Sequence, residues 1–459
     1  MSDLMRILGI ARRALNAHQA AMNSYGNNIA NVNTEGYSRQ RVTLKTTTPL
    51  RTPQGFLGSG VSVDSVERIR STLVDQQLMG ERPSLNQYEF KNEALQFIEG
   101  IFNEPSDFGI NRNLEDFFNS FHDLANDPES TAARTVVRQK GVALANNFNR
   151  IDRQLRSYQK QLNAELSQNV DEVNRITSQI ARLNKNIVNA EVNGHQAPDL
   201  RDQRDLLVDD LSKLVDVRTF ENEAGSISVH VAGRTLVVDS YSEKLSLVTQ
   251  SDAAAGPIVV SEQDGSQVNF TDGKIKGLLD VRDGNIPDYL SQLDQLAVSL
   301  ATEVNAVHAI GYNLDDISGI NLFDPNTSGA GDFAISVEVM NDANLIAASD
   351  VTGEPGNNNV ALAIANLQDD LTINDGQFTF NDFYNSLISK MGSDTQEAGF
   401  LQSGYSLTVE RLEFTRQSIS GVSLDEEMTN LIEARQAYTA ATRLITTIDE
   451  MAQTVLNMV

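Results

Sequence analysis

Both ends of this chain carry a seven-residue apolar repeat, and that repeat constrains the fold more than anything between them. Near the start, Leu4, Leu8, Ala11, Leu15, His18, Met22, Tyr25 and Ile29 alternate steps of four and three, with His18 the only polar member. At the end, Leu431, Ala434, Tyr438, Ala441, Ile445, Ile448, Ala452, Val455 and Val459 step three and four without a break, and all are apolar. Such spacing puts one narrow apolar seam on each helix, the first about 39 Å long. Neither helix buries its seam alone, and isolated helices are marginal in water. The two ends therefore need each other, or copies from other chains. Spacing alone leaves both arrangements open.

The first helix runs into Asn27, Asn28, Asn31 and Asn33, followed by Gly36. Asn side chains bond the last free carbonyls of a helix, and Asn and Gly accept the left-handed backbone that stops one. Thr43 to Gly60 reads as extended or loop structure, with a short strand near Val61 and Val63. From Ser71 to Leu214 the pattern is mostly helical. Its longest run, Leu144 to Ala190, contains a slip near Val170 and ends at Gly194 and Pro198. Ile227, Val229 and Val231 then alternate with polar residues, and Gly225, Gly233 and Asp264-Gly265 supply turns, which predicts a β region over 218–282. Helix returns near Pro287. Gly311 to Asp375 reads as loops with short elements, and two further helices are expected, Asn381 to Met391 and Thr395 to Gln417. Ser423 and Glu426 have the spacing of a capping box at the start of the last helix. The expected fold is mainly α with a small antiparallel β domain, its terminal helices pairing as a coiled coil. The expected units are 1–60 with 420–459 (terminal assembly), 61–217 with 283–419 (helical middle) and 218–282 (outer β).

Composition narrows the chemistry. With 36 basic and 62 acidic residues the net charge is −26, which argues against nucleic acid, where phosphate neutralisation dominates affinity. No cysteine is present, so disulfides and thiolate metal sites are excluded. No apolar run reaches the ~18 residues that suggest a membrane span, and the start lacks the apolar block of a cleaved secretory signal. His18, His122, His195, His230 and His308 have no metal-ligand spacing. Phosphate loops, dinucleotide-binding glycines and a nucleophile elbow are absent. Asp370, Thr372 and Asn374 begin like a calcium loop, but Gly376 falls one position late and no Glu closes it. No catalytic residue, cofactor or metal is expected.

The stretch from Ser24 to Tyr37 resembles the N-terminal signature of the flagellar rod, hook and hook-associated proteins. The residues that carry it are Asn27, Asn28, Ile29, Ala30 and Asn31, then Asn33, Thr34, Gly36 and Tyr37. Ser38 to Val42 is similar to the hook-associated members in particular. So is Ser420 to Glu427, with its Leu-Asp-Glu-Glu opening, followed by Asn430-Leu431-Ile432, Gln436-Ala437-Tyr438 and Ile448 to Met451. The detailed likeness covers roughly the first 60 and last 45 residues. It implies a structural subunit at the hook–filament junction, exported unfolded by the flagellar type III apparatus without a cleaved signal. Implied partners are copies of itself, the hook protein, a second hook-associated junction protein, and a cytosolic export chaperone at the C-terminal seam. The alternatives are a hook or distal rod subunit, or a secreted adhesin or enzyme on the same export route. Larger members carry a further outer domain that has no counterpart here.

Overall fold

The computed structural model describes residues 2–52, 55–104, 109–192, 194, 196–250, 256–374 and 376–457. Val459 lies outside them, and Val455 is described in its backbone only. The chain opens with α1 (Ser2–Ala30) and a long β-hairpin, β1 (Gln40–Thr46) paired antiparallel with β4 (Val61–Arg68). Its tip is the small pair β2 (Leu50–Thr52) and β3 (Gly55–Leu57). The segment expected as extended or loop structure is thus a hairpin laid along α1, and the strand expected near Val61 and Val63 is β4. Gly60, at φ +103°, allows the close approach, because a Cβ there would sit 3.3 Å from the Ile10 side chain.

The body follows with α2 (Thr72–Phe102), α3 (Ile110–Asn126), α4 (Thr131–Glu191) and α5 (Pro198–Leu214). Helix α4 is 61 residues long. Ser130 caps its start, accepting from Ala133 N at 3.2 Å. Its apolar positions step by threes and fours from Val137 to Ile187, all buried except the half-buried Tyr158 and Leu183, so one face is held along its whole length. At one end an aromatic cluster of Phe117, Phe118, Phe121, Phe148, Phe323 and Phe333 is packed edge-on or tilted.

At the other end strands cover α4. The meander β5 (Val217–Glu221), β6 (Ile227–Val231), β7 (Arg234–Val238) and β8 (Tyr241–Ser242) is paired in sequence order, and β9 (Leu245–Val248) pairs with β10 (Ile258–Ser261). The β6–β7 turn places Ala232 and Gly233 at φ +51° and +77°, the backbone of a tight two-residue hairpin. These strands have no separate core. Val229, Val231, Leu236, Val237, Leu245 and Val259 join the same apolar cluster as α4 and the helices after them. The strands end at Ser261, and Lys274 to Asp280 is helix α6. The expected β unit over 218–282 is therefore a strand layer fused to the helical body, with helix at its end.

A π-turn over 281–285 leads into α7 (Ile286–His308). Then come short helices, α8 (Val337–Asn341) and α9 (Asn359–Asn366), the long α10 (Phe380–Ser420), and α11 (Leu424–Asn457). Helix α10 is continuous where two helices were expected. The Gly392-Ser393-Asp394 stretch does not break it, because Asp394 accepts a 2.7 Å bond from Tyr289 Oη and the helix beyond that point packs along α2, where Tyr405 stacks on Tyr88 and Val409 meets Val74 and Leu78. Tertiary packing overrides weak local propensity there.

One buried titratable group matters for stability. His308 Nδ1 donates to Ile320 O at 2.7 Å, and its Nε2 accepts from Ala347 N at 3.0 Å. Both bonds suit the neutral ring. Burial, set against the Ile320 bond and aided by nearby Arg134, pushes its pKa down to about 4. The unfolded value is about 6.5, so only the unfolded chain takes up the proton between those limits. The stabilisation is full above the unfolded value and is lost as pH falls towards 4, about 3 kcal/mol in all. His308→Gln is expected to flatten the fall in unfolding free energy between pH 6.5 and 4, measured by urea denaturation. An unchanged slope would rule out this origin.

Candidate assembly module and its polar clamp

Helices α1 and α11 pack on each other along both predicted seams. On α11 the buried or half-buried positions are Leu431, Ala434, Tyr438, Ala441, Ile445, Ile448 and Ala452, and almost every other position is exposed. On α1, Leu4, Leu8, Leu15, His18, Met22, Tyr25 and Ile29 are half-buried and Ala11 is buried. The deepest positions on its second half, however, are Ala17, Ala21, Ser24 and Asn28, one residue ahead of the expected seam. The reason is that α1 has two neighbours. It meets α11 on one side and the β1–β4 hairpin on the other, and small side chains let the hairpin lie close. Its buried arc is wider than a two-stranded coiled coil requires.

On α11 the seam positions from Leu431 to Ala452 are the ones covered within the single chain. Met5, Ile7, Met428, Ile432, Leu444, Met451 and Leu456 remain exposed outside the seams.

The Asn-rich motif does more than stop α1. Asn31 Nδ2 bonds Asn27 O at 2.9 Å, a C-terminal cap, and Thr34 Oγ1 reaches Asn31 Oδ1 at 3.1 Å. Asn33 is exposed. Gly36 takes φ +76°, and a Cβ there would press on Leu206 at 3.2 Å.

Asn28 is fully buried and uses its whole bonding capacity. Its carbonyl oxygen accepts from Gln40 N at 2.9 Å and Tyr37 Oη at 2.8 Å, and its amide donates to Gln40 O at 2.9 Å and Glu427 Oε2 at 2.8 Å. The side chain pairs with the first residue of β1 as another strand would. Burial, with Asp199, Asp202 and Glu427 nearby, pushes the Tyr37 hydroxyl pKa up, so it stays a donor.

Glu427 has no exposed surface, and its second oxygen accepts from Arg39 Nε at 2.7 Å. Arg39 Nη1 also meets Glu426 Oε2 at 2.9 Å. This corrects the expected capping box. Glu426 is drawn to a cation instead of back to the helix start, and Ser423 contributes its backbone carbonyl, which accepts from Glu427 N at 2.9 Å.

A second polar layer joins this module to the body. Ser38 gives its N–H and hydroxyl to Asp202 at 2.9 and 2.8 Å, and Gln40 Nε2 donates to Asp199 at 2.7 Å. Arg68 bridges Asp202 and Asp205 at 2.8 and 2.7 Å. Arg70 holds Asp205 at 2.6 Å and Asp75 at 2.9 Å. Burial nevertheless raises the Asp202 carboxyl pKa, against the lowering effect of Ser38 and Arg68. The buried apolar residues of the module (Ala11, Ala17, Ala21, Ala434, Ala441 and Ile448) lie outside the main apolar cluster. The joint between module and body is mostly hydrogen bonds and ion pairs. Sequence reasoning missed the α5 partners, although Asp199, Asp202 and Asp205 at three-residue steps mark one acidic helix face.

Among the described residues no group of three or more His, Asp or Glu is placed to hold a metal, and no helix is long and apolar enough to cross a membrane.

Removing Asn28 would strand the buried Glu427 oxygen and the Gln40 backbone groups, at a cost of about 3 kcal/mol. Asn28→Ala is expected to speed amide exchange in α1 and β1 roughly 100-fold while α4 protection stays unchanged. Equal exchange in both proteins would contradict the clamp.

Three families match along the chain. Residues 8–37 match the family described as flagella basal body rod protein, and 416–458 the flagellar basal body rod FlgEFG protein C-terminal. Residues 95–323 match the flagellar hook-associated protein FlgK helical domain. The clamp thus joins the two rod-type ends, and the hook-associated match lies in the body. The chain is 34% identical to flagellar hook-associated protein 1 of Bacillus subtilis (strain 168), with 100% of this chain and 99% of that protein covered. It is 27% identical to the Salmonella typhimurium protein of the same name, over 98% and 99%. The solved flagellar hook junction protein FlgK from Burkholderia pseudomallei shares the fold, with a TM-score of 0.67 at 16% identity over 75% of this chain and 100% of that one. The chain belongs to the flagellar hook-associated protein 1 family, whose members are structural components of the bacterial flagellum.

Proposed function

We propose that this chain is a structural subunit of the hook–filament junction and assembles through the module built from its two ends. The observation that carries this is the Asn28–Glu427–Arg39 clamp, which brings the N-terminal motif and the start of α11 into one buried cluster. The seam residues, Leu4 to Ile29 on α1 and Leu431 to Ala452 on α11, form the module. The apolar residues left outside, among them Met428, Ile432, Leu444 and Met451, carry contacts to copies of the chain, to the hook protein, and to a second hook-associated junction protein. A module held to the body by polar contacts suits late ordering. Export unfolded through the flagellar type III apparatus is consistent with a chain that has no cysteine to crosslink. Before export, the apolar repeat that the sequence carries from Leu431 to Val459 is what a cytosolic chaperone would cover. The work is mechanical, with no reaction at any site. A hook or distal rod position is disfavoured because the body resembles the hook-associated helical domain.

Ile448 is buried in the seam, and a carboxylate there would be buried without a partner, at a cost of several kcal/mol. Ile448→Asp is expected to leave the body folded, with near-normal thermal unfolding, and to abolish incorporation at the junction, so that filament subunits escape into the medium. Filaments of normal number in cells carrying this variant would refute the assembly reading.

A further inference from the structure

Helix α2 changes character at Pro83, which lies in its interior. Proline has no N–H, so the helix bond to the Met79 carbonyl is missing, and the proline ring crowds that carbonyl. Gly80, a poor helix former, stands in the same turn. Sharp bends in helices gather at such places.

The packing changes at the same point. After Pro83 the helix is fixed to the body. Ser84 and Gln87 donate to Asp272 and Asp280, each at 3.1 Å. A Cβ at Gly277 of α6 would run into the Gln87 carbonyl, and Phe90, Ala94, Leu95 and Ile98 belong to the main apolar cluster. Before Pro83 the helix leaves that cluster, and Val74 and Leu78 form a small one of their own with Val409 of α10. Towards α5 and β5 this first part of α2 faces two cavities. One, of about 230 Å³, separates Asp75, Gln76 and Met79 from Arg204, Asp205 and Val208. The other, of about 340 Å³, lies between Gly80 and Pro83 on one side and Arg218 and Thr219 on the other. Charged and hydroxyl groups line both, so they suit water that a moving helix displaces.

Buried Arg82 pins this level. Its Nη1 lies 3.0 Å from Asp209 Oδ1 of α5 and its Nη2 2.9 Å from Glu413 of α10, while Arg416 of α10 reaches the second Asp209 oxygen at 2.7 Å. The weak turn, the pin and the edge of the main core therefore coincide, and free space begins on one side of them.

We propose that residues 72–82 of α2 and the end of α10 from Tyr405 to Ser420 form a two-helix neck that swings on the Gly80–Pro83 turn, towards and away from α5 and β5. The chain connections make the swing consequential. Strand β4 ends at Arg68 and α2 starts at Thr72, while α10 ends at Ser420 and α11 starts at Leu424. Both halves of the terminal module are thus rooted in the neck, and its angle sets theirs. Arg70 spans the first cavity, holding Asp75 of the neck and Asp205 of α5, and its long side chain follows a small movement. The inference goes beyond the proposed function and does not depend on it.

Because the chain has no cysteine, paired cysteine substitutions place two nitroxide labels at chosen sites, and pulsed electron–electron resonance on the full chain reads the spread of their separation. Gln77, Glu89, Arg182 and Glu410 are all exposed. The Gln77–Arg182 pair compares the neck with α4 and is expected to give a distribution at least twice as wide as the Glu89–Arg182 pair, which lies on the fixed side of Pro83. Pro83→Ala restores the missing N–H and is expected to bring the first width down to the second. The Gln77–Glu410 pair lies within the neck and is expected to stay narrow. Equal widths for the first two pairs, or no narrowing in Pro83→Ala, overturn the proposal. A broad Gln77–Glu410 distribution means that the neck frays instead of swinging, and overturns it too. The comparison of pairs in the unsubstituted helix decides the matter even if Pro83→Ala does not fold.

Discussion

The contact between the Asn28 amide and the Glu427 carboxylate joins residues 399 positions apart in a fully buried setting. Neither group tolerates that setting alone. An amide with unmet bonds and a carboxylate without donors each carry a large desolvation cost in an apolar environment. The cost is offset only when Gln40, Tyr37 and Arg39 arrive together, and those residues come from the turn after α1 and the start of β1. The clamp therefore exists in one geometry, and that geometry sets where α11 begins relative to where α1 ends. Register between the two seams follows from it.

This arrangement separates two kinds of cohesion. The body is held by a continuous apolar cluster running from the Phe117–Phe333 aromatics to the strand layer on α4. The terminal module is held to that body mostly by Ser38, Gln40, Arg68 and Arg70 on the carboxylates of α2 and α5. Buried polar groups add geometric specificity more than net stability. The joint is thus well defined in direction but modest in strength.

Much of the architecture was legible in the sequence, because periodicity reports local geometry well. The α11 seam was readable position by position from Leu431 to Ala452, and the long α4 was readable from its threes and fours. What was not legible depended on distant contacts. The buried row Ala17, Ala21, Ser24 and Asn28 on α1 lies beside the seam that spacing predicts, because its cover is the hairpin, which helix periodicity does not record. Glu426 read as a cap because sequence spacing does not show that Arg39 stands beside it. The break expected between Met391 and Thr395 failed because Tyr289 holds Asp394 from α7 and α2 supports the helix beyond it. The α5 carboxylates that complete the joint lie some 160 residues from the motif they bind, beyond what any local pattern records.

The 61-residue span of α4 has a mechanical consequence. At 1.5 Å per residue it is a rod of about 92 Å, braced by aromatics at one end and by the strand meander at the other. Close-packed interiors compress little and transmit strain. A force applied to the strand layer is therefore delivered to the aromatic end as displacement of a single stiff strut, so that the body responds to load as one piece and deformation concentrates in the polar joint beneath it.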